Sequence, residues 1–445
     1  MTAQAPSPQR PVDLARVRRL WSPLAASWAL MAVEMPLLAA VVGRLPDEAV
    51  HLAAYGGVAF PIALVVEAPI IMLLAASTAL CKDWGRYLFV RRFMVQSVVA
   101  LTLLHAAVAF TPLYDLVAGD LLGSAPRVQE AGRLGLQLLL PWSGAIAYRR
   151  FLQGILIRTE RSQWVSRGTT VRLAANAAVL GSLAAWTDLP GIAVGSSAIS
   201  AGVLAEAAFV GWAVRPSLAS LRTAPASGDP PLDLARFLRF YLPLALTPLV
   251  TLLLHPLGSA AMNRLPLPLE SLAVWPAVHG LVFLTRSVGF AYNEVVVALA
   301  DAPGAAPALH RFRNLLALST TGLLMLLAAT PLAGLWFQQA SGLGTFMAAL
   351  AAAATALAVP MPGLQALQSH STGLLVAAHR TRGVTEAVVV FFAVSASLLG
   401  VAVASGRVEE PGILVASLTF TIAGAVQTAW LALRARGLEA ELPRG

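Results

Sequence analysis

About twenty consecutive apolar residues are needed for a helix to cross the hydrocarbon core of a bilayer. In this chain blocks of that length recur from end to end, at 21–43, 52–81, 90–112, 131–157, 169–187, 190–214, 237–262, 271–300, 314–337, 345–377, 384–405 and 411–433. Inside lipid each backbone N–H and C=O must be paired within the segment, so blocks of this kind fold as helices. The expected class is therefore an all-α polytopic membrane protein with twelve transmembrane helices. Three blocks, 52–81, 271–300 and 345–377, reach 30 residues or more and should tilt or kink. Composition agrees: charged residues make up 12% and mean hydropathy is +0.73. A soluble domain carries about 25% charged residues, so a soluble cytosolic protein is excluded. Disorder is excluded as well, because it needs low hydrophobicity.

The charges between the blocks alternate. There are 31 basic and 22 acidic residues, net +9, and Lys82 is the only lysine. Arg10, Arg16, Arg18 and Arg19 precede the first block, and Lys82, Arg86, Arg91 and Arg92 follow the second. Arg158, Arg161 and Arg167 follow the fourth, and Arg215, Arg222 and Arg236 the sixth. Arg311 and Arg313, Arg380 and Arg382, then Arg434, Arg436 and Arg444 continue the series. The intervening loops are poorer in cations and carry Asp47, Glu48, Glu130, Asp188, Glu270, Glu409 and Glu410. By the positive-inside rule, both termini are expected in the cytoplasm of a plasma (inner) membrane protein. Such clusters also suit anionic lipid headgroups. Residues 1–20 read as an uncleaved cytoplasmic arm, because the first block is too long for a signal-peptide core.

Several chemistries find no residues here. One cysteine, Cys81, excludes a disulfide within the chain. No His-Glu-x-x-His, Gly-x-Ser-x-Gly or Walker A motif occurs, and the single lysine follows Cys81. No enzymatic activity, metal, cofactor or nucleic-acid partner is expected. Gradient-driven transport is the default.

An internal repeat organises the chain. A shift of 220 places Pro23-Leu24-Ala25 on Pro243-Leu244-Ala245, Pro36 on Pro256, and Arg44-Leu45-Pro46 on Arg264-Leu265-Pro266. A shift of 219 places Pro141 on Pro360, Gly144 on Gly363, Gly154 on Gly373 and Arg161 on Arg380. Each half holds an even number of spans, so the halves should be parallel repeats about an axis along the membrane normal. The expected organisation is an N-lobe at 21–214, a Pro/Ser/Gly-rich cytoplasmic linker at 215–236, a C-lobe at 237–433 and a tail at 434–445. One chain supplies both six-helix bundles, so a monomer suffices.

The repeated Pro-Leu-Ala opening and the endings Gly154-Ile155-Leu156 and Gly373-Leu374-Leu375 carry a resemblance. They resemble the multidrug/oligosaccharidyl-lipid/polysaccharide (MOP) flippase superfamily, which includes the MATE exporters. Asp47-Glu48-Ala49-Val50, Leu52-Ala53-Ala54-Tyr55-Gly56 and the Tyr241 to Leu246 segment are similar to the progressive ankylosis (ANKH) family. That resemblance implies export of multivalent anions such as pyrophosphate, nucleotides or citrate. Arg149-Arg150 departs from the family pattern.

Ionisable residues within spans are costly and mark cavities or partners. Glu34 lies about 15 Å deep at 1.5 Å per residue, two residues before Pro36, whose ring should break the helix beside it. Pro256 is expected to do the same beside His255. Glu67 precedes Ala68-Pro69, and Glu206 sits among small residues. Glu34, Glu67, Glu206 and Glu294 are candidates for coupling to a proton or cation; packing by hydrogen bonds is the alternative for each. Arg149 and Arg150 point about 100° apart, so at most one faces a cavity squarely. Arginine's planar fork suits phosphate and carboxylate, so Arg149, Arg150 and Arg286, with Asn293, His255 and His279, are the candidate substrate contacts. Arg44 and Arg264, at matched outer ends, read as snorkelling to the interface.

The expected function is a secondary transporter working by alternating access and exporting a small multivalent anion. A flippase for a lipid-linked phosphate and a proton-coupled multidrug exporter are the alternatives.

Overall fold

The computed structural model describes residues 12–441 apart from 226, 228–231, 301 and 379. Arg10 and Arg444, counted above among the cytoplasmic charges, lie outside the described residues, as do parts of the arm, linker and tail. The described residues form helices and no strand.

In the first half these are α1 (Leu14–Val42), α2 (Glu48–Leu80), α3 (Trp84–Phe110), α4 (Pro126–Leu138), α5 (Leu140–Arg158), α6 (Gln163–Trp186) and α7 (Gly191–Ala213). A short helix, α8 (Arg215–Thr223), occupies the start of the linker. The second half has α9 (Leu234–Met262), α10 (Pro268–Leu299), α11 (Ala305–Ala329), α12 (Thr345–Leu357), α13 (Met361–Ala377), α14 (Arg382–Ser405) and α15 (Gly412–Glu441). Among the described residues ten helical stretches are long and apolar enough to cross a membrane. The expected fourth and fifth spans, α4 with α5 and α6, are helical over similar lengths but fall outside that set. They carry Arg149, Arg150, Arg158, Arg167 and Arg172.

Boundaries differ from expectation where caps and prolines decide them. The first helix starts at Leu14 rather than 21, because the Asp13 side chain accepts from Arg16 N at 2.7 Å and closes the first turn. Asp233 caps Arg236 N at 2.7 Å in the same way. The block read as 314–337 is instead a helix ending at Ala329, because Pro331 follows. Residues 332–340 then form a separate turn of short helix. α1 is interrupted at Val33, three residues before Pro36, and α9 at Leu253, three before Pro256. A proline lacks the N–H and pushes its ring against the carbonyl four residues back, that of Ala32 or Leu252, the last residue before each break.

The two halves repeat element by element. The segments 14–32 and 34–42 recur at 234–252 and 254–262, a shift of 220. The short helices at 113–115 and 116–121 recur at 332–334 and 335–340, a shift of 219. Even the cap is repeated: Leu113 N donates to Thr111 Oγ1 at 3.2 Å, and Leu332 N to Thr330 Oγ1 at 3.3 Å.

α10 runs through the middle and packs against α1, α2 and α13. Trp21 Nε1 donates to Val288 O at 2.8 Å, and Tyr241 OH to Pro69 O at 2.5 Å, so each half sends its first helix against the other. Within each half the fourth expected span is held at a glycine. A Cβ on Gly154 would meet Ser77 Oγ at 1.9 Å and Leu74 O at 2.3 Å. On Gly373 it would meet Val296 Cβ at 2.6 Å. Small residues of this kind let membrane helices approach closely.

Gly154→Val should therefore force α2 and α5 apart. Overpacking of this kind costs about 1–3 kcal/mol or more, and the thermal unfolding midpoint in detergent should fall by several degrees. Gly181→Ala, where nothing lies within 4 Å, should leave it unchanged or slightly raised. Equal behaviour of the two variants would contradict the packing account.

Candidate functional site

The polar residues of the first half converge. Glu206, with 0% of its side chain exposed, accepts from Arg149 Nη1 and from Gln153 Nε2 at 3.0 Å. Arg172 Nε lies 3.8 Å from the same carboxylate. The other side of Arg172 reaches Glu34 at 3.0 Å, and Asn176 Nδ2 donates to Glu34 at 2.9 Å. Helix geometry brings these donors together. Arg149 and Gln153 are four apart on α5, and Arg172 and Asn176 four apart on α6, so each pair presents one face. The network thus ties α1, α5, α6 and α7.

Glu67 is buried, and its electrostatic neighbours are Arg149, Arg150 and Arg172. Its Oε2 has no hydrogen-bond partner among the described residues, and neither has Arg150 Nε. Glu34, Glu67 and Glu206 against Arg149, Arg150 and Arg172 make three formal negative charges and three positive. The group is neutral as a whole.

The second half has a cavity instead, about 540 Å³ in volume, between α9, α10, α13, α14 and α15 with Trp28 of α1 at its edge. Its walls are aromatic. Trp275 lies 5.2 Å from His279 and 5.9 Å from Phe420, and Trp28 stacks on Phe290 at 5.1 Å between centroids. His255 and His279 face each other edge-on at 5.3 Å. Arg286 Nη2 donates to Gln365 Oε1 at 2.8 Å, and Gln365 Nε2 donates on to Ser369 Oγ at 3.2 Å. The guanidinium carbon lies 5.9 Å from the Phe290 centroid, within reach of a cation–π contact. Among the described residues Arg286 makes no ion pair. Asn293 and Glu294 line the same cavity, two turns along α10, and Glu294 accepts from the Trp28 side chain.

The repeat places these two sites on one another. A shift of 219 carries Arg149 to Gln368 and Arg172 to Phe391, and 221 carries Glu206 to Gln427. Gln368, Phe391 and Gln427 all line the cavity. One position in the duplicated unit is filled by an ion network in the first half and left open, with amides and rings, in the second.

The expected residues therefore fall into two groups. Glu34, Glu67, Glu206, Arg149 and Arg150 share the network; His255, His279, Arg286, Asn293 and Glu294 share the cavity. Pro36 and Pro256 lie beside the helix breaks. Sequence reasoning missed Arg172, Asn176 and Gln153, the central donors of the network, and Gln365, Gln368 and the aromatic wall. Arg172 stands three residues inside its block and was not singled out; the Arg172/Asn176 spacing was the available signal. Arg44 and Arg264, read as snorkelling outward, instead donate to backbone carbonyls of the opposite half.

The fold is shared with solved transporters. The inward-facing conformation of a multidrug resistance MATE family transporter of the MOP superfamily matches with a TM-score of 0.70 at 12% identity, over 96% of this chain and 99% of that chain. An outward-facing conformation of a transporter so described matches at 0.64 and 13%, over 96% and 97%. The lipid II flippase MurJ in an inward closed conformation matches at 0.70 and 14%, over 94% and 87%. The expected MATE-like fold is the fold observed. No protein-family model and no curated protein sequence matches the chain.

Removing one partner of a buried ion pair strands a charge and costs about 3–5 kcal/mol, whereas replacing both by apolar groups is often neutral. Glu206→Leu alone should thus strongly lower the thermal midpoint, and Arg149→Leu with Glu206→Leu should recover most of the loss. An additive double variant, measured in a double-mutant cycle, would contradict the pairing.

Proposed function

We propose that this protein is a secondary active transporter of the cytoplasmic membrane, working as a monomer by alternating access between two six-helix lobes with both termini inside. Its substrate is a small multivalent anion, of the pyrophosphate, nucleotide or citrate type. The observation that carries this reading is Arg286. It stands in a cavity of about 540 Å³ with a neutral amide as its hydrogen-bond partner and no carboxylate paired with it among the described residues. A planar guanidinium with donors to spare suits a bidentate carboxylate or phosphate. His255, His279, Asn293 and Gln368 add polar contacts around it.

The arginines of the first half support a different role. Arg149 and Arg172 are already engaged by Glu206 and Glu34. An entering anion would have to compete with those carboxylates. We assign this balanced network to coupling: one proton gained at Glu67 or Glu34 changes its net charge from zero to positive and biases how the lobes pack.

A second reading draws on the same cavity. Glu294 and the aromatic rings are what a cationic amphipath needs, as for a proton-coupled multidrug exporter. Lipid-linked phosphate flipping would use Arg286 with a longer groove.

Proteoliposomes loaded with labelled pyrophosphate, citrate and ATP beside a cationic dye, with and without a pH gradient, separate these readings. Anion flux is expected, and Arg286→Gln should reduce it at least tenfold, the effect of losing about 1.4 kcal/mol of binding. Gln365→Glu, which sets a carboxylate against Arg286, should do the same. Dye flux without anion flux in the parent protein would overturn the anion reading in favour of the exporter.

A further inference from the structure

Arg44 lies between α1 and α2 of the first half. It donates to Ala340 O at 2.9 Å and to Gln339 O, both in the second half, and to Ala40 O of its own helix. Arg264, its counterpart at a shift of 220, lies between α9 and α10. It donates to Asp120 O and Leu121 O at 3.0 Å and Leu122 O at 3.2 Å, all in the first half, and to Ala260 O at 2.9 Å. Each arginine thus crosses to the other half and finds the same place there, the end of the short helical turns 116–121 and 335–340.

Those turns are made to receive a cation. The last carbonyls of a helical turn lack partners within it and carry the negative end of its dipole. Each turn is followed by a glycine in the left-handed region, Gly123 at φ +73° and Gly342 at φ +72°, which bends the chain back. A Cβ at Gly342 would stand 2.9 Å from Arg44 Cγ, and one at Gly123 3.1 Å from Arg264 Nη1. Beside Arg44, a Cβ on Gly43 would stand 2.3 Å from Ser341 O. Beside Arg264, Asn263 Nδ2 donates to Ser124 Oγ at 3.3 Å.

Both contacts lie on the face opposite the linker, which ties the halves covalently on its own side. We propose that Arg44 and Arg264 form a two-point clasp that holds the halves shut on the face away from the linker, and that opening to that face requires both to let go. The clasp rests on the alternating-access reading above. It makes the state closed on that face the resting one. Because both arginines are solvent-exposed, each contributes modestly, and the equilibrium stays within reach of a substrate's binding energy.

Spin labels on Trp186→Cys and Ser405→Cys test it. These positions are exposed ends of α6 and α14 on the clasped face, and Cys81→Ala removes the native thiol. Pulsed electron–electron distances in lipid nanodiscs, with no substrate, should show one short population in the parent protein. R44Q or R264Q should raise the longer population roughly fivefold, and the double variant by the product, because one or two kcal/mol corresponds to a factor of about 5–30. R44K and R264K keep the charge without the fork and carry the same test if the Gln pair fails to fold. An unchanged distribution in the double variant, with or without a fall in thermal midpoint, would overturn the clasp. Wider distances in a protein that moves no anion would keep the clasp and remove the transport reading.

Discussion

A carboxylate with none of its side chain exposed cannot stay in a membrane protein alone, and Glu206 is such a group. Its partners set much of the first half. Arg149 and Gln153 reach it from α5 and Arg172 from α6, and Arg172 hands the contact on to Glu34 beside the break in α1. This explains how α5 and α6 can carry Arg149 and Arg172 inside the bundle: both are paired with carboxylates there. Buried ion pairs rarely add net stability, but they penalise every arrangement that separates them. The network is therefore better understood as fixing one register of four helices than as a source of cohesion.

The second half keeps the scaffold and drops the charges. Where the first half has Arg149, Arg172 and Glu206, it has Gln368, Phe391 and Gln427, and the space left is the cavity. Arg286 enters that space from α10, the helix on which both halves converge. A duplicated unit has thus diverged into one site that is electrostatically closed and one that is open. The 540 Å³ cavity lies at the open one, and paired charges occupy the closed one.

Much of this was legible in the sequence. The blocks gave the helices, and the Pro, Gly and Arg matches gave the duplication. Each buried carboxylate stood out because an apolar block advertises its exceptions. The grouping did not stand out. Glu34, Glu206 and Arg149 are far apart in the chain, and their pairing depends on helix rotation, which blocks so uniformly apolar do not reveal. Arg172 was obscured by its place near a span end, where arginines are common. The boundary near 329 was lost because residues 332–337 remain apolar after the helix stops; Thr330-Pro331-Leu332 repeats Thr111-Pro112-Leu113 and marks it. Arg44 and Arg264 were aligned correctly, but a carbonyl partner leaves no trace in sequence.

The proposed transport depends on which half receives the anion. Equilibrium binding of labelled citrate and pyrophosphate to the purified protein measures this without a gradient, comparing Arg286→Gln with the neutral-for-neutral pair Arg149→Gln/Glu206→Gln. Binding that is lost in the first variant and kept in the second is the expected result. Binding kept in Arg286→Gln and lost in the paired variant would place the anion in the first half and contradict the account.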